Sequence, residues 1–164
     1  MPVIPIAVVS VVTVLLIYVL SQKIQELDDV PTDNTRVFPD TYKQLAKAIS
    51  VAEGFGVAGA IPSLANNPGD LELLHWQGEK LGSQGISVLD PDTVDAPLPP
   101  NGGWYRLLKQ IEYIGEGKSH VYSLEMTIQE MSEKWTTTQS EAWAENVANY
   151  LGVPVTTQLS EIIG

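Results

Sequence analysis

Residues 51–71 read Val51-Ala-Glu-Gly-Phe-Gly-Val-Ala-Gly-Ala-Ile-Pro-Ser-Leu-Ala-Asn-Asn-Pro-Gly-Asp-Leu71. A helical pattern ends on Glu53, and Gly54 stops it. Gly54, Gly56 and Gly59 then allow backbone with φ > 0 and the close approach of a ligand. Asn66-Asn67-Pro68-Gly69-Asp70 closes the stretch with the residue types that build tight turns. The expected product is a carboxylate at a helix end, facing a polar loop rich in backbone groups. That arrangement suits a general acid.

Upstream, Asp40 or Thr41 is placed to cap a helix over Tyr42–Glu53. Leu45, Ile49 and Ala52 recur at i, i+4 and i+7 and form its apolar stripe, widened by Ala48. Glu53 falls one position beyond the stripe, at the edge of the buried face. Partial burial at such a place raises a carboxyl pKa, as general-acid chemistry near neutral pH requires. The competing reading is an exposed glutamate that merely precedes a C-capping glycine.

The whole string, Glu53-Gly54, a Gly/Ala loop, then Asn66-Asn67-Pro68-Gly69-Asp70-Leu71, resembles the catalytic segment of lysozyme-like peptidoglycan hydrolases. Phage and bacterial muramidases and lytic transglycosylases are the nearest in pattern. The resemblance extends over roughly Tyr42 to Ile163. It includes Gly103-Trp104 at a helix start, Met126–Met131, and Lys134-Trp135-Thr136-Thr137-Thr138-Gln139. It implies a mainly α (α+β) lysozyme-like domain with a small β-hairpin lobe. It implies cleavage of the β-1,4 bond between N-acetylmuramic acid and N-acetylglucosamine, with Glu53 as the general acid and no cofactor. It also implies that an Asn and an aromatic residue late in the chain line the cleft, for which Asn146 and Tyr150 are candidates. Asn66 and Asn67 are the candidate sugar ligands in the loop.

Glycoside cleavage normally uses two carboxyls. Asp70 is the carboxylate nearest within the motif; Glu72 and Asp90 lie on the expected β lobe. Asp70 reads equally well as a turn former. A lytic transglycosylase needs no second carboxylate, because the N-acetyl group of the substrate assists and one glutamate acts first as acid and then as base. Both outcomes stay open. So does the alternative of a catalytically inactive lysozyme-like protein that binds glycan or serves a structural role in an envelope or virion. A third reading is an acidic anchored interaction protein with no sugar site.

The remaining segments set the domain plan. Residues 2–20, Pro2 to Leu20, carry no charge and form a helix of roughly 28 Å if helical throughout, enough to cross a bilayer core. No Lys or Arg precedes them and no Ala-x-Ala site follows, which favours a retained anchor (1–20) over a cleaved signal. Lys23, on the C-terminal flank, weakly opposes an orientation with that flank outside. Residues 21–39 are polar, hold two prolines and read as a tether reaching at most roughly 60 Å. By the resemblance, residues 40–164 are expected to form the lysozyme-like domain, facing peptidoglycan from the membrane or from a virion.

The 164-residue chain carries a formal net charge of −11, which argues against nucleic acid and anionic lipid as partners. Tethering beside the substrate reduces the need for electrostatic steering towards an anionic wall. There are no cysteines, hence no disulfides and no thiolate chemistry. His75 and His120 lack metal-ligand spacing, and no metal is expected.

Within the domain, Leu71–Trp76 and Ile86–Asp90 read as two short strands around a Gly-rich connection, and residues 91–103 as a loop. Leu107, Leu108, Ile111 and Ile114 give the next helix, 104–114, its core face, and Trp104 reads as core rather than sugar platform. Thr127 and Glu130 form a capping box for a helix over Ile128–Trp135. Ser140 caps a last long helix ended by Gly152, with Trp143, Val147 and Leu151 facing inward. Thr157–Ile163 is expected to form a short terminal helix.

Overall fold

The computed structural model describes residues 37–73, 76–96 and 100–164. The expected anchor at 2–20, nearly all of the tether, and His75 lie outside the described residues. Among those described, no helix is long and apolar enough to cross a membrane.

Helix α1 (Asp40–Ala52) buries Leu45, Ala46, Ala48 and Ile49 completely. Leu45, Ala48 and Ile49 are the stripe expected from the i, i+4 pattern, Ala46 joins it, and Ala52 at its end is half-buried. Its start differs slightly: Pro39 is the N-cap, with no side-chain cap, and Asp40 lies in the first turn. There a carboxylate meets the positive end of the helix dipole. After the loop comes a single turn of helix, α2 (Ile61–Leu64), with Pro62 in its first turn. Strands β1 (Lys80–Leu81) and β2 (Ile86–Ser87) form an antiparallel hairpin, with Lys80 opposite Ser87 and Leu81 opposite Ile86. Helices α3 (Gly103–Gly115), α4 (Ile128–Trp135), α5 (Ser140–Leu151) and α6 (Leu159–Ile163) complete the chain. The described residues are therefore mainly helical, with one small two-stranded sheet among them.

α1 packs against α5, α3 and α6, and α4 packs against α5. Their shared core holds Leu45, Ile49, Leu107, Leu108, Ile111 and Met131, all with no exposed surface. Thr127 caps α4 by accepting the N–H of Glu130 at 3.2 Å, while Glu130 accepts the N–H of Thr127 at 2.8 Å. That reciprocal bond holds the Glu130 carboxyl below its ordinary pKa. α5 ends as expected on Gly152, at φ +72. Its N-cap is Gln139 rather than Ser140, and Gln139 adopts φ +59.

The expectation about the first strand of the hairpin needs correction. Leu71–Trp76 is not the first strand. The N–H of Leu73 donates to Ser87 Oγ at 3.0 Å, and the Leu71 carbonyl accepts from the N–H of Ser87 and the Asn67 amide. Side chains thus take ladder positions there, and the regular pairing shifts to Lys80–Leu81. In α3, the apolar face is fully buried, as expected, and Arg106, Lys109, Gln110 and Glu112 are also buried, retaining only a little exposed surface. The buried Lys109 ammonium pairs with Glu112 and lies 4.9 Å from the centroid of the Tyr113 ring. Hence α3 is enclosed on both sides and runs through the domain.

Candidate active site

Glu53 is the C-cap residue of α1, with φ −78 and ψ −7, and is half-buried. Its N–H still donates to the Ile49 carbonyl, so the helix geometry reaches it before the chain turns. Gly54 follows at φ +78, where an L side chain would be strained. The loop is pinned by the Gly56 N–H, which donates to Ser63 Oγ at 2.8 Å. A Cβ added at Gly54, Gly56 or Gly59 would meet nothing within 4 Å, so the loop is open on that side.

The Glu53 carboxyl is held from across the domain. Trp143, in the first turn of α5, donates its indole N–H to Glu53 Oε1 at 2.9 Å. Trp143 is 5% exposed and stacks on the buried Trp135, with ring centroids 5.9 Å apart. Trp135 in turn packs on Tyr122 at 5.6 Å. An indole N–H is a donor only, so Glu53 Oε1 serves as the acceptor of this bond. The aromatic stack therefore orients the carboxyl as well as filling the core. Trp143 was legible as core through its spacing to Val147, but not as the partner of Glu53. The available signal was its indole N–H, which requires an acceptor once buried.

The Asn66–Asp70 turn is the second half of the site. Asn67 is completely buried, and its amide is committed. Nδ2 donates to the carbonyls of Leu71 (2.8 Å) and Ser87 (3.0 Å), and Oδ1 accepts the Leu71 N–H at 2.9 Å. This corrects its expected role as a sugar ligand: Asn67 clamps the turn to the hairpin. Asn67→Ala should lower stability by about 2 kcal/mol or more, because it leaves buried backbone groups without partners. A urea-unfolding midpoint unchanged from wild type would contradict that assignment.

Asn66 and Asp70 both adopt positive φ, +49 and +48, a conformation these two residue types tolerate. The Asp70 N–H donates to the Asn67 carbonyl at 3.0 Å, so Asp70 has the turn role its residue type suggested. Its half-buried carboxyl belongs to the same turn. The Asn66 carbonyl rests on Gly103, where a Cβ would stand 1.8 Å from that oxygen.

The start of α3 joins these two halves. Trp104, next to Gly103, meets Phe55 edge-on with centroids 5.5 Å apart. The loop after Glu53 and the Asn66 turn thus converge on one helix end. Asp92 secures that end by accepting the N–H groups of Trp104 (2.9 Å) and Tyr105 (3.0 Å). Burial raises the Asp92 pKa despite these donors. Trp104 is half-buried rather than fully in the core.

Asn146 and Tyr150 lie on the exposed surface of α5. Asn146 is one turn beyond Trp143, whereas Tyr150 is seven residues on, roughly 10 Å along the axis. Trp143, not Tyr150, is the aromatic residue of α5 that touches Glu53. Among the described residues, no group of three or more His, Asp or Glu side chains is arranged to hold a metal ion. No protein-family model, curated protein or solved structure matches the chain.

Removing the indole donor while keeping an aromatic ring tests the orienting role. On the expectation that Glu53 is the general acid of a glycan cleavage, Trp143→Phe should lower the rate by up to about tenfold, the net worth of one hydrogen bond. Initial rates on purified sacculi are the measurement. Wild-type rates would show that the bond does not position the acid.

Proposed function

We propose that this chain cleaves the β-1,4 glycosidic bond between N-acetylmuramic acid and N-acetylglucosamine in peptidoglycan, through a lysozyme-like domain with Glu53 as general acid. The observation that carries the proposal is the Glu53 carboxyl at the end of α1, held through Oε1 by the Trp143 indole at the start of an open glycine loop. In the proposed reaction, Glu53 Oε2 gives its proton to the glycosidic oxygen as the bond to the muramic C1 breaks. Positive charge develops on the sugar ring, and the resulting carboxylate lies close enough to favour it. Asn66 and Phe55 border the same site, while Asn67 and Asp92 keep its two halves in register. Residues 2–20 act as a membrane anchor in this reading, presenting the domain to the glycan.

The test is digestion of purified peptidoglycan by the full-length chain in detergent, followed by mass spectrometry of the products. Release of disaccharide muropeptides supports the proposal. No release from sacculi that a control muramidase digests overturns it, and leaves a glycan-binding or structural protein.

The same digest separates two outcomes. We favour the transglycosylase outcome, in which the substrate N-acetyl oxygen bonds to C1 as the glycosidic oxygen leaves, Glu53 then takes the proton of the 6-hydroxyl, and the 6-oxygen closes on C1 as the bond from C1 to the N-acetyl oxygen breaks. The support is Asp70, whose positive-φ backbone and bond to Asn67 already account for its presence in the turn. Products should then end in 1,6-anhydromuramic acid, and Asp70→Asn should keep activity within about tenfold of wild type. Entirely reducing ends, with a loss of roughly 100-fold or more in Asp70→Asn, would instead make Asp70 the second carboxyl of a hydrolase.

A further inference from the structure

Among the described residues, six large apolar side chains are exposed, and three of them fall between residues 57 and 64. They are Val57 at 59%, Ile61 at 39% and Leu64 at 60%. Ile61 and Leu64 share one side of the single turn α2, being three residues apart. Ile61 also lies against the hairpin, since a Cβ on Gly82 would stand 2.8 Å from its Cδ1. The supporting backbone is pinned by the bond from Gly56 to Ser63, and Ala65 is fully buried beneath it. The patch is therefore a fixed lip that presents apolar side chains outward.

Its charge pattern is equally distinctive. From Gly54 to Gly69 the chain has no ionisable side chain, in a protein of net charge −11. Exposed carboxylates crowd another part of the chain, at Glu125, Glu130, Glu133, Glu141 and Glu145. An acidic surface is repelled by anionic lipid and gains nothing by leaving water. An uncharged apolar lip carries neither penalty.

We infer that the lip formed by Val57, Ile61 and Leu64 docks on the surface of a lipid bilayer, at the headgroup–acyl boundary. The inference rests on the anchor reading of residues 2–20 and not on the glycosidase reading. With that segment in a bilayer, the chain between it and residue 37 limits the domain to within about 55 Å of the surface. Attachment over so short a distance gives an effective concentration in the millimolar range. A small apolar contact, too weak to bind a free protein, is then enough to hold one face against the membrane. The net negative charge selects zwitterionic rather than anionic lipid for this contact. Docking would keep the loop that follows Glu53 near the membrane and restrict its reach to structures close to that surface.

The absence of cysteine makes the test direct, because a single introduced thiol is a unique label. The full-length chain is reconstituted into phosphatidylcholine vesicles, with bimane attached to Val57→Cys, Leu64→Cys or Glu133→Cys in separate samples. Vesicles containing a lipid with a nitroxide high on the acyl chain should quench the labels at 57 and 64 at least about twofold, with little effect at 133. Adding Leu64→Glu to the chain labelled at 57 should remove that quenching. Failure of the chain to sediment with vesicles overturns the anchor and the docking together. Sedimentation with equal quenching at all three positions, or with none, overturns the docking alone. Quenching at 57 that survives Leu64→Glu also contradicts it. None of these results depends on glycan cleavage.

Discussion

Under the proposed glycosidase function, Glu53→Gln should lower peptidoglycan cleavage by about 10²–10⁴-fold, the usual cost of losing a general acid. The substitution keeps the length and planarity of the side chain. Its carbonyl oxygen can still accept from the Trp143 indole at the position of Oε1, so the bond seen at 2.9 Å has a replacement. What disappears is the proton on the other oxygen, since an amide is not an acid at neutral pH. The effect should therefore appear in the rate and not in the fold. Cleavage rates on sacculi, measured beside circular dichroism and a melting curve, separate the two. A folded Glu53→Gln protein that digests sacculi like wild type would remove Glu53 from the chemistry. Comparison with Trp143→Phe adds information: that variant retains the acid and loses its orientation, so its deficit should be the smaller.

Gly103→Ala should be the most disruptive single methyl in the described structure, costing about 3 kcal/mol or more. An added Cβ would stand 1.8 Å from the Asn66 carbonyl oxygen and 2.7 Å from Pro68 Cδ. Neither neighbour can move freely. Asn66 is backbone in a positive-φ turn, and the adjacent Asn67 is bonded to Leu71 and Ser87. Either α3 or the turn must shift, and Trp104 would move with it away from Phe55. Gly56→Ala provides the contrast. It adds strain at φ +90, but its Cβ would meet nothing within 4 Å. A cost of about 1 to 2 kcal/mol is expected there. Urea unfolding of the two variants should place Gly103→Ala well below Gly56→Ala. Equal midpoints would mean that the contact between α3 and the Asn66 turn is not tight.

Elements defined by neighbours in sequence were legible. The stripe Leu45, Ala48 and Ile49 marked α1, and the four buried residues Leu107, Leu108, Ile111 and Ile114 marked α3. The Thr127–Glu130 box and the Gly152 stop were also readable, because each depends on hydrogen bonds within one helical turn. The position of Glu53 at a helix end followed from Gly54 for the same reason. β-Pairing was less legible. Leu71–Trp76 has the composition of a strand, but whether it pairs as one depends on groups supplied by Asn67 and Ser87.

The amino-acid sequence by itself determined the helices, their buried faces, and a carboxylate placed before a glycine-rich loop. Tertiary structure alone decided which groups meet that carboxylate and the loop. Trp143 reaches Glu53 across 90 positions of chain, Asn67 reaches Ser87 across 20, and Asp92 reaches Trp104 across 12. Local propensity is set by interactions a few residues apart, so it carries no record of such distances. The contact of Trp143 with Glu53 exists because α1 buries its apolar face against α5, as it does against α3, and that packing brings polar groups remote in sequence to within bonding distance.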